Sequence, residues 1–333
     1  MSYRVAIIIP TFNEERYIEA CIHSISKQTF SFAEMDVMIV DGRSTDSTRS
    51  IVNILSQKYV NVRLLDNPGR IQSIAFNIGL ANSDAPYIIR MDAHVEYDPK
   101  YVELCIKHLE TNPVIGDVGG ICITKTRKRG VIPDANKIVC QSKFGIGGAA
   151  FRIGAEAGFV DTVPFGAFPR QVVEKIGGMR EDLARAEDNE YVSRIHKAGY
   201  KVYLDPAIIS TYYARDTFRG IIKQMYANGL SIGQLFYVDR TAIGLRHFVP
   251  FAFVCSLAIS AIGANFFLPF LWFLIAILGA YVTLALCATI MLCVKYGWKY
   301  FVVLPPLFFS VHVAYGCGTL VGLFKYAKQY KSK

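Results

Sequence analysis

Up to about residue 214 the chain alternates short β-branched apolar runs with stretches whose apolar residues recur every three or four positions. That alternation predicts an α/β domain on a mainly parallel sheet. Residues 5–9 read as a buried strand, and residues 15–28 as a helix with Ile18, Cys21, Ile22 and Ile25 on one face. Residues 35–40 form the next strand, and Asp46 is placed to N-cap a helix through Val52 and Leu55. Residues 62–65, 87–91 and 118–124 complete the obvious strands.

The pattern changes beyond Arg215. Residues 218–236 set Ile221, Ile222, Met225, Leu230 and Leu235 beside Arg219 and Lys223, which predicts a helix lying in a membrane interface. Three apolar runs follow, 248–268, 270–294 and 301–324, each roughly the 20 residues that cross a bilayer core. The division expected is therefore 1–214 for a catalytic domain, 215–247 for interfacial helices and 248–333 for a membrane module. Arg215, Arg219, Lys223, Arg240 and Arg246 precede the first run, and Lys295 and Lys299 follow the second. By the positive-inside rule the first two runs make an in-out-in hairpin with the N-terminal domain in the cytoplasm. A plain third span would export Lys325, Lys328, Lys331 and Lys333. That run also carries Pro305, Pro306, Gly316, Gly318 and Gly322. The expectation is a broken or re-entrant third element tucked beneath the catalytic domain, with a cytoplasmic tail.

Composition sharpens this picture at two points. The net charge of +9 suits nucleic acid, anionic lipid headgroups or phosphorylated substrates, and an apolar C-terminal third favours the last two over nucleic acid. None of the eight cysteines forms a CxxC pair, so neither a zinc knuckle nor a redox dithiol is signalled. Scattered thiols fit a reducing compartment. The first apolar run stops at Pro10, too short for a signal peptide. An integral protein of the inner or plasma membrane is the reading.

Acidic residues close the strands: Pro10-Thr11-Phe12-Asn13-Glu14 ends the first, Asp41 the second, and Asp92-Ala93-His94 the fourth. Ligands of open parallel sheets gather at such carboxyl ends, and a metal–diphosphate site requires acidic groups at one edge. With Val40-Asp41-Gly42-Arg43-Ser44-Thr45-Asp46-Ser47-Thr48, Asn67-Pro68-Gly69-Arg70, Asn77-Ile78-Gly79, Met91-Asp92-Ala93-His94 and Glu187-Asp188, the chain resembles family 2 glycosyltransferases of the GT-A fold, a Rossmann-like nucleotide-sugar-binding domain, over residues 4–214. The Asp-x-His motif, Asp161-Thr162-Val163-Pro164-Phe165-Gly166, Tyr212-Tyr213-Ala214-Arg215-Asp216 and the 312–318 stretch make it similar to the succinoglycan-biosynthesis (ExoA-like) glucosyltransferase group.

The resemblance implies roles for named residues. Asp41 would accept the uracil N3–H of a UDP-sugar, while Asp46 is explained by capping. Pro10, Thr11, Asn13, Glu14 and Ala93 would shape the nucleotide pocket, and Arg70 would lie near the uracil or diphosphate, its rival reading being an exposed loop arginine. Asp92 and His94 would hold the metal. Most of the family has an aspartate at the third position, and imidazole tilts the choice towards Mn²⁺ over Mg²⁺. Asp188 would be the general base of an inverting transfer, taking the proton of the acceptor hydroxyl; a helix N-terminal charge is the alternative, and both can hold. Glu187 and Arg215 would face the acceptor. Gly177-Gly178-Met179-Arg180-Glu181 departs from the family's usual Gly-Gly-aromatic-Asp-Glu on the acceptor side.

The expected reaction is transfer of a hexose from a UDP-sugar to a polyprenyl-diphosphate-linked glycan, in exopolysaccharide or surface-glycan synthesis. Direct transfer to polyprenyl phosphate is the nearest rival. A processive synthase follows, although the Gln-x-x-Arg-Trp motif is absent. The alternative from another class is a catalytically silent membrane scaffold.

Overall fold

A computed structural model describes residues 3–146 and 148–331, without the side chain of Lys331. Lys333 and Ser332 lie outside the described residues. In chain order the elements begin β1 (Val5–Thr11), α1 (Ile18–Ser26), β2 (Met35–Asp41), α2 (Thr48–Lys58), β3 (Val62–Asp66), α3 (Gln72–Ala81) and β4 (Tyr87–Arg90). Next come β5 (Glu96–Tyr97), α4 (Tyr101–Thr111), β6 (Ile115–Lys125), α5 (Val131–Gln141), α6 (Ala150–Ile153), β7 (Gly158–Val160) and β8 (Ala167–Pro169). The chain continues with α7 (Arg170–Ile176), α8 (Glu187–Lys197), β9 (Lys201–Tyr213), α9 (Phe218–Val238), α10 (Val249–Gly263), α11 (Leu268–Tyr296) and α12 (Leu304–Lys331).

The chain forms two compact units: residues 1–123 with 149–212, and residues 124–148 with 213–333. The first is built on a mixed sheet of strand order β3-β2-β1-β4-β8-β6-β9-β5, with β7 on β9. β3, β2, β1 and β4 run parallel, and β8 turns the sheet antiparallel. β1 and β2 are covered on both faces, as their largely apolar sequences require, and the one charge inside β2, Asp36, is paired with Arg63 (2.7 Å). On one face Ile18, Ile22, Val52, Val102 and Ile106 of α1, α2 and α4 pack on β1 and β2; on the other Phe76, Val172, Tyr191 and Ile195 of α3, α7 and α8 do so. Asp46 lies one position before the cap residue Ser47, and its carboxylate accepts the Thr48 N–H (3.0 Å) that opens α2.

In the second unit, three helices are long and apolar enough to cross a membrane: Leu245–Gly263, Leu268–Tyr296 and Leu304–Tyr330. Little of the first two is covered by protein (6% buried each), whereas 44% of the third is buried. The third run is one continuous helix, contrary to the break expected from its prolines and glycines. Pro305 and Pro306 fall in the first turn of α12, where backbone N–H groups lack intrahelical partners anyway. The glycines are used for contact. Gly229-Leu-Ser-Ile-Gly233 on α9 meets Gly318-Thr-Leu-Val-Gly322 on α12. A Cβ at Gly229 would fall on the Tyr315 carbonyl, and one at Gly318 on that of Tyr226. Small residues four apart on both helices let the two backbones touch, the device of membrane helix pairs. The apolar side of α9, read above as facing a membrane interface, therefore has α12 as its partner.

Residues 124–148 belong to this helical unit and not to the sheet unit in which the sequence division places them. Ala135, Ile138 and Val139 of α5 bury against Leu304, Leu307 and Phe308. Tyr300 donates to Asp134 (3.0 Å), and His312 bridges the Tyr281 hydroxyl and the Phe144 carbonyl, each at 2.8 Å.

Candidate active site

The carboxyl ends of β2, β1 and β4 lie side by side because the three strands are adjacent and parallel, with Thr11 opposite Asp41 and Ile8 opposite Arg90. The loops that follow β1 and β2 are laced together. Asn13 donates its N–H to Ser44 Oγ and accepts the Thr45 N–H, both at 2.8 Å, while Glu14 N–H reaches Thr48 Oγ1 at 2.8 Å. Asn13, Arg43 and Arg70 adopt left-handed backbone (φ 56°, 61° and 59°), unusual for residues with side chains and concentrated at this edge. Pro10 is part of β1, and Thr11 is buried with its hydroxyl on the Ile9 carbonyl (3.0 Å).

Asp41 is wholly buried. It accepts from the Ser44 hydroxyl, the Ser44 N–H (2.9 Å) and Arg49 Nη1 (2.8 Å), and Arg49 also reaches Asp66 (3.0 Å). In this arrangement its carboxylate braces the loop that follows β2. Beside that loop, Phe12 is 45% exposed, and the Arg70 guanidinium lies 6.0 Å from its ring.

A buried guanidinium organises the other end of the edge. Arg90, the last residue of β4, lies 3.4 Å from Asp92 Oδ1 and 3.4 Å from Glu187 Oε1. Burial alone would lower its pKa, but the carboxylates of Asp92, Glu187 and Asp188 outweigh burial and hold it above its ordinary value. Burial, then the neighbouring Asp188, push the Glu187 carboxyl up to about 7, with Arg90 opposing. Burial also drives Asp117 of β6 well above the carboxylate range; Arg90 opposes this and Asp188 adds to it. Asp117 Oδ1 and Arg90 Nε are buried without a hydrogen-bond partner. Asp188 itself is exposed in the first turn of α8, where Glu187, Asp188 and Glu190 complement the helix dipole.

Asp92 is fixed through its backbone, its N–H donating to the Tyr97 hydroxyl (2.7 Å), and Ala93 is buried. His94 Nδ1 lies 2.9 Å from Glu14 Oε1, joining the loop after β4 to the loop after β1. A carboxylate on one ring nitrogen fixes the tautomer and orients the other nitrogen as a ligand, the usual support of a metal-binding histidine. Among the described residues no three His, Cys, Asp or Glu side chains gather closely enough to cage a metal. A donor set of one carboxylate and one supported imidazole, Asp92 and His94, fits a divalent cation and would leave its other positions to a donor diphosphate and water.

Thus the structure brings together Glu14 with His94, Asp92 with Glu187 through Arg90, and Asn13 with the Asp41 loop. Arg215 lies in the other unit. Arg90, Asp117 and Phe12 escaped the sequence reading. The signal for the first two was a charge inside an otherwise apolar strand, Tyr87-Ile-Ile-Arg90 and Ile115-Gly-Asp117-Val118.

A mixed sheet with acidic residues at the carboxyl ends of its first strands defines a GT-A nucleotide-sugar fold. The chain belongs to glycosyl transferase family 2, whose sequence profile matches residues 6–177. It is 28% identical, over 98% of its own length and 99% of the relative's, to a dolichyl N-acetyl-α-D-glucosaminyl phosphate 3-β-D-2,3-diacetamido-2,3-dideoxy-β-D-glucuronosyltransferase of Methanococcus voltae. It is 31% identical, over 77% of each chain, to the succinoglycan biosynthesis protein ExoA of Rhizobium meliloti. Among solved structures, a mannosyltransferase of Pyrobaculum calidifontis bound to GDP-mannose and Mn²⁺ shares the fold, with TM-score 0.63, 19% identity and coverage of 95% of this chain and 87% of that one. The protein is a glycosyltransferase with three candidate membrane helices.

Proposed function

We propose that this glycosyltransferase moves a hexose from a UDP-sugar, with inversion, to a polyprenyl-diphosphate-linked glycan at the cytoplasmic face of a membrane, for an exopolysaccharide or related surface glycan. The observation that carries the reading is the Arg90 bridge, which ties Asp92 at the end of β4 to the Glu187–Asp188 start of α8. One group faces a donor diphosphate and the other an acceptor. Asp188, exposed, takes the proton of the acceptor hydroxyl as its oxygen attacks the anomeric carbon. The bond to the diphosphate breaks and the nucleoside diphosphate leaves with the electron pair. Asp92 and His94 would hold Mn²⁺ or Mg²⁺, which supplies charge neutralisation on the departing diphosphate. Phe12 offers a ring face for the base, with Arg70 beside it, and Asp41 keeps the loop that frames the base in place.

The lipid-linked acceptor is supported by one relative, the Methanococcus voltae transferase, whose name specifies a dolichyl phosphate-linked sugar. That name also favours a second reading, in which the lipid carries a monophosphate. The test is nucleotide release by purified enzyme from a panel of UDP-sugars and GDP-mannose, with Mn²⁺ or chelator. Release from one UDP-sugar, dependent on a lipid-linked acceptor and abolished by chelator, is the expected result; full turnover in chelator removes the metal from the account.

The end of α12 would face the cytoplasm, as its lysines favour. A cysteine at Lys328 in a thiol-depleted variant should react with an impermeant maleimide only after lysis; labelling of intact cells reverses the assignment.

A further inference from the structure

The net charge of +9 conceals a division. The helical unit holds 17 of the 36 Lys and Arg residues but three of the 27 Asp and Glu, so it carries +14 while the sheet unit carries −5. Its three carboxylates are engaged: Asp134 accepts from the Tyr300 hydroxyl (3.0 Å), Asp216 from the Lys128 N–H (3.4 Å) and Asp239 from the Thr241 N–H (3.0 Å).

Within that unit, two basic runs some ninety residues apart in sequence are fastened side by side. The Ala214 N–H donates to the Lys125 carbonyl (3.0 Å), and the Lys128 N–H reaches Asp216. Asn136, fully buried on α5, donates to the carbonyls of Arg215 (2.6 Å) and Thr217 (3.1 Å). The Arg127 guanidinium stands 4.5 Å from the centre of the Tyr213 ring. Thr217 caps α9 by accepting the Gly220 N–H (3.0 Å), which sets Arg219 and Lys223 one turn apart on one exposed face. The corner so formed exposes Arg127, Lys128, Arg129, Arg215, Arg219 and Lys223. It is braced by α5, whose apolar side packs on the candidate membrane helix α12.

Four of these six cations are arginines, whose planar donors match phosphate oxygens in pairs. Cations joined through α5 to an apolar helix suit a ligand with a phosphate head and a hydrocarbon tail. We propose that this corner binds the phosphate headgroup of a lipid-linked acceptor, with the diphosphate of a polyprenyl carrier as its ligand. The proposal rests on the lipid-acceptor reading above, and it assigns a place to the headgroup that the catalytic edge does not supply.

The test measures binding, separately from transfer. Purified full-length protein in phosphatidylcholine nanodiscs is titrated with polyprenyl diphosphate, with polyprenol and with phosphatidylglycerol, and bound lipid is read by native mass spectrometry. The wild type should bind the diphosphate and not the polyprenol. Arg127→Gln with Arg129→Gln should weaken diphosphate binding by ~10-fold or more with an unchanged melting temperature. Arg127→Lys with Arg129→Lys should retain much of it. Equal binding by wild type and the glutamine variant overturns the site. So does a loss for phosphatidylglycerol as large as that for the diphosphate, which makes the corner a general membrane contact. Normal headgroup binding by a protein that glycosylates only lipid-free glycans overturns the acceptor reading and leaves the site standing.

Discussion

The two units carry opposite net charge. The sheet unit, which in this family takes the anionic donor, is itself acidic, with net charge −5. A general field does not attract a diphosphate to it, so the proposed donor site relies on placed groups: Arg70 at the loop edge, and the cation that Asp92 and His94 would hold. The helical unit, at +14, gathers many cations near apolar helices. One strategy fixes the geometry of a reacting atom; the other holds the headgroup of a ligand whose tail lies among apolar helices. The contrast extends to packing. Charges are buried in the sheet unit around Arg90, whereas the helical unit buries glycines and apolar side chains.

The sharpest break of the comparison is at Asp188. Asp188→Asn keeps the shape and loses the base, so turnover should fall by roughly 10²–10⁴ while donor affinity changes little. Near-normal steady-state turnover would leave Asp188 with its helix-dipole role alone.

Glu14 comes next. Its carboxylate supports the His94 ring, so Glu14→Ala should weaken Mn²⁺ activation by ~10–100-fold, read from metal titration of nucleotide release. Unchanged activation would remove the imidazole from the metal's ligand set.

In the helical unit the corresponding perturbation is steric. Gly229→Leu or Gly322→Leu should destabilise the α9–α12 pair by about 1–3 kcal/mol, seen as a lowered melting temperature in detergent. Gly279→Leu on α11, where an added Cβ would meet nothing within 4 Å, should leave it unchanged.

The smallest effect concerns Asp117. Its folded-state pKa is raised, so the unfolded chain ionises first and native stability is lost as pH rises from about 4 through the raised value. Asp117→Asn mimics the neutral acid and removes that contribution. The fall in melting temperature between pH 5 and pH 8 should therefore be shallower in the variant. An identical slope would show that Asp117 is not the group responsible.

Much of the sheet unit was legible because its signals are local. Runs such as residues 5–9, and 35–40 apart from Asp36, are apolar without alternation, and a strand buried on both faces is their natural outcome. Asp41, Asp92 and His94 could be placed because each follows such a strand. The partners were not legible, because they arise from tertiary proximity: Glu14 is eighty residues from His94, and Arg90 is 97 from Glu187. The helical unit misled at Pro305, Gly318 and Gly322. Proline and glycine break helices in isolation, yet a first turn tolerates proline and a close helix pair selects glycine. Sequence order likewise placed residues 124–148 with the sheet, whereas the apolar face of α5 is buried on α12.

The central claim is a single displacement driven by one exposed carboxylate at the sheet edge. Its most direct test is the anomeric configuration of the product formed by purified enzyme from an α-linked UDP-hexose, read from the proton coupling constant of the new linkage by NMR. The account predicts a β linkage. An α linkage would mean net retention, which a single displacement with Asp188 as base does not give, and would contradict it.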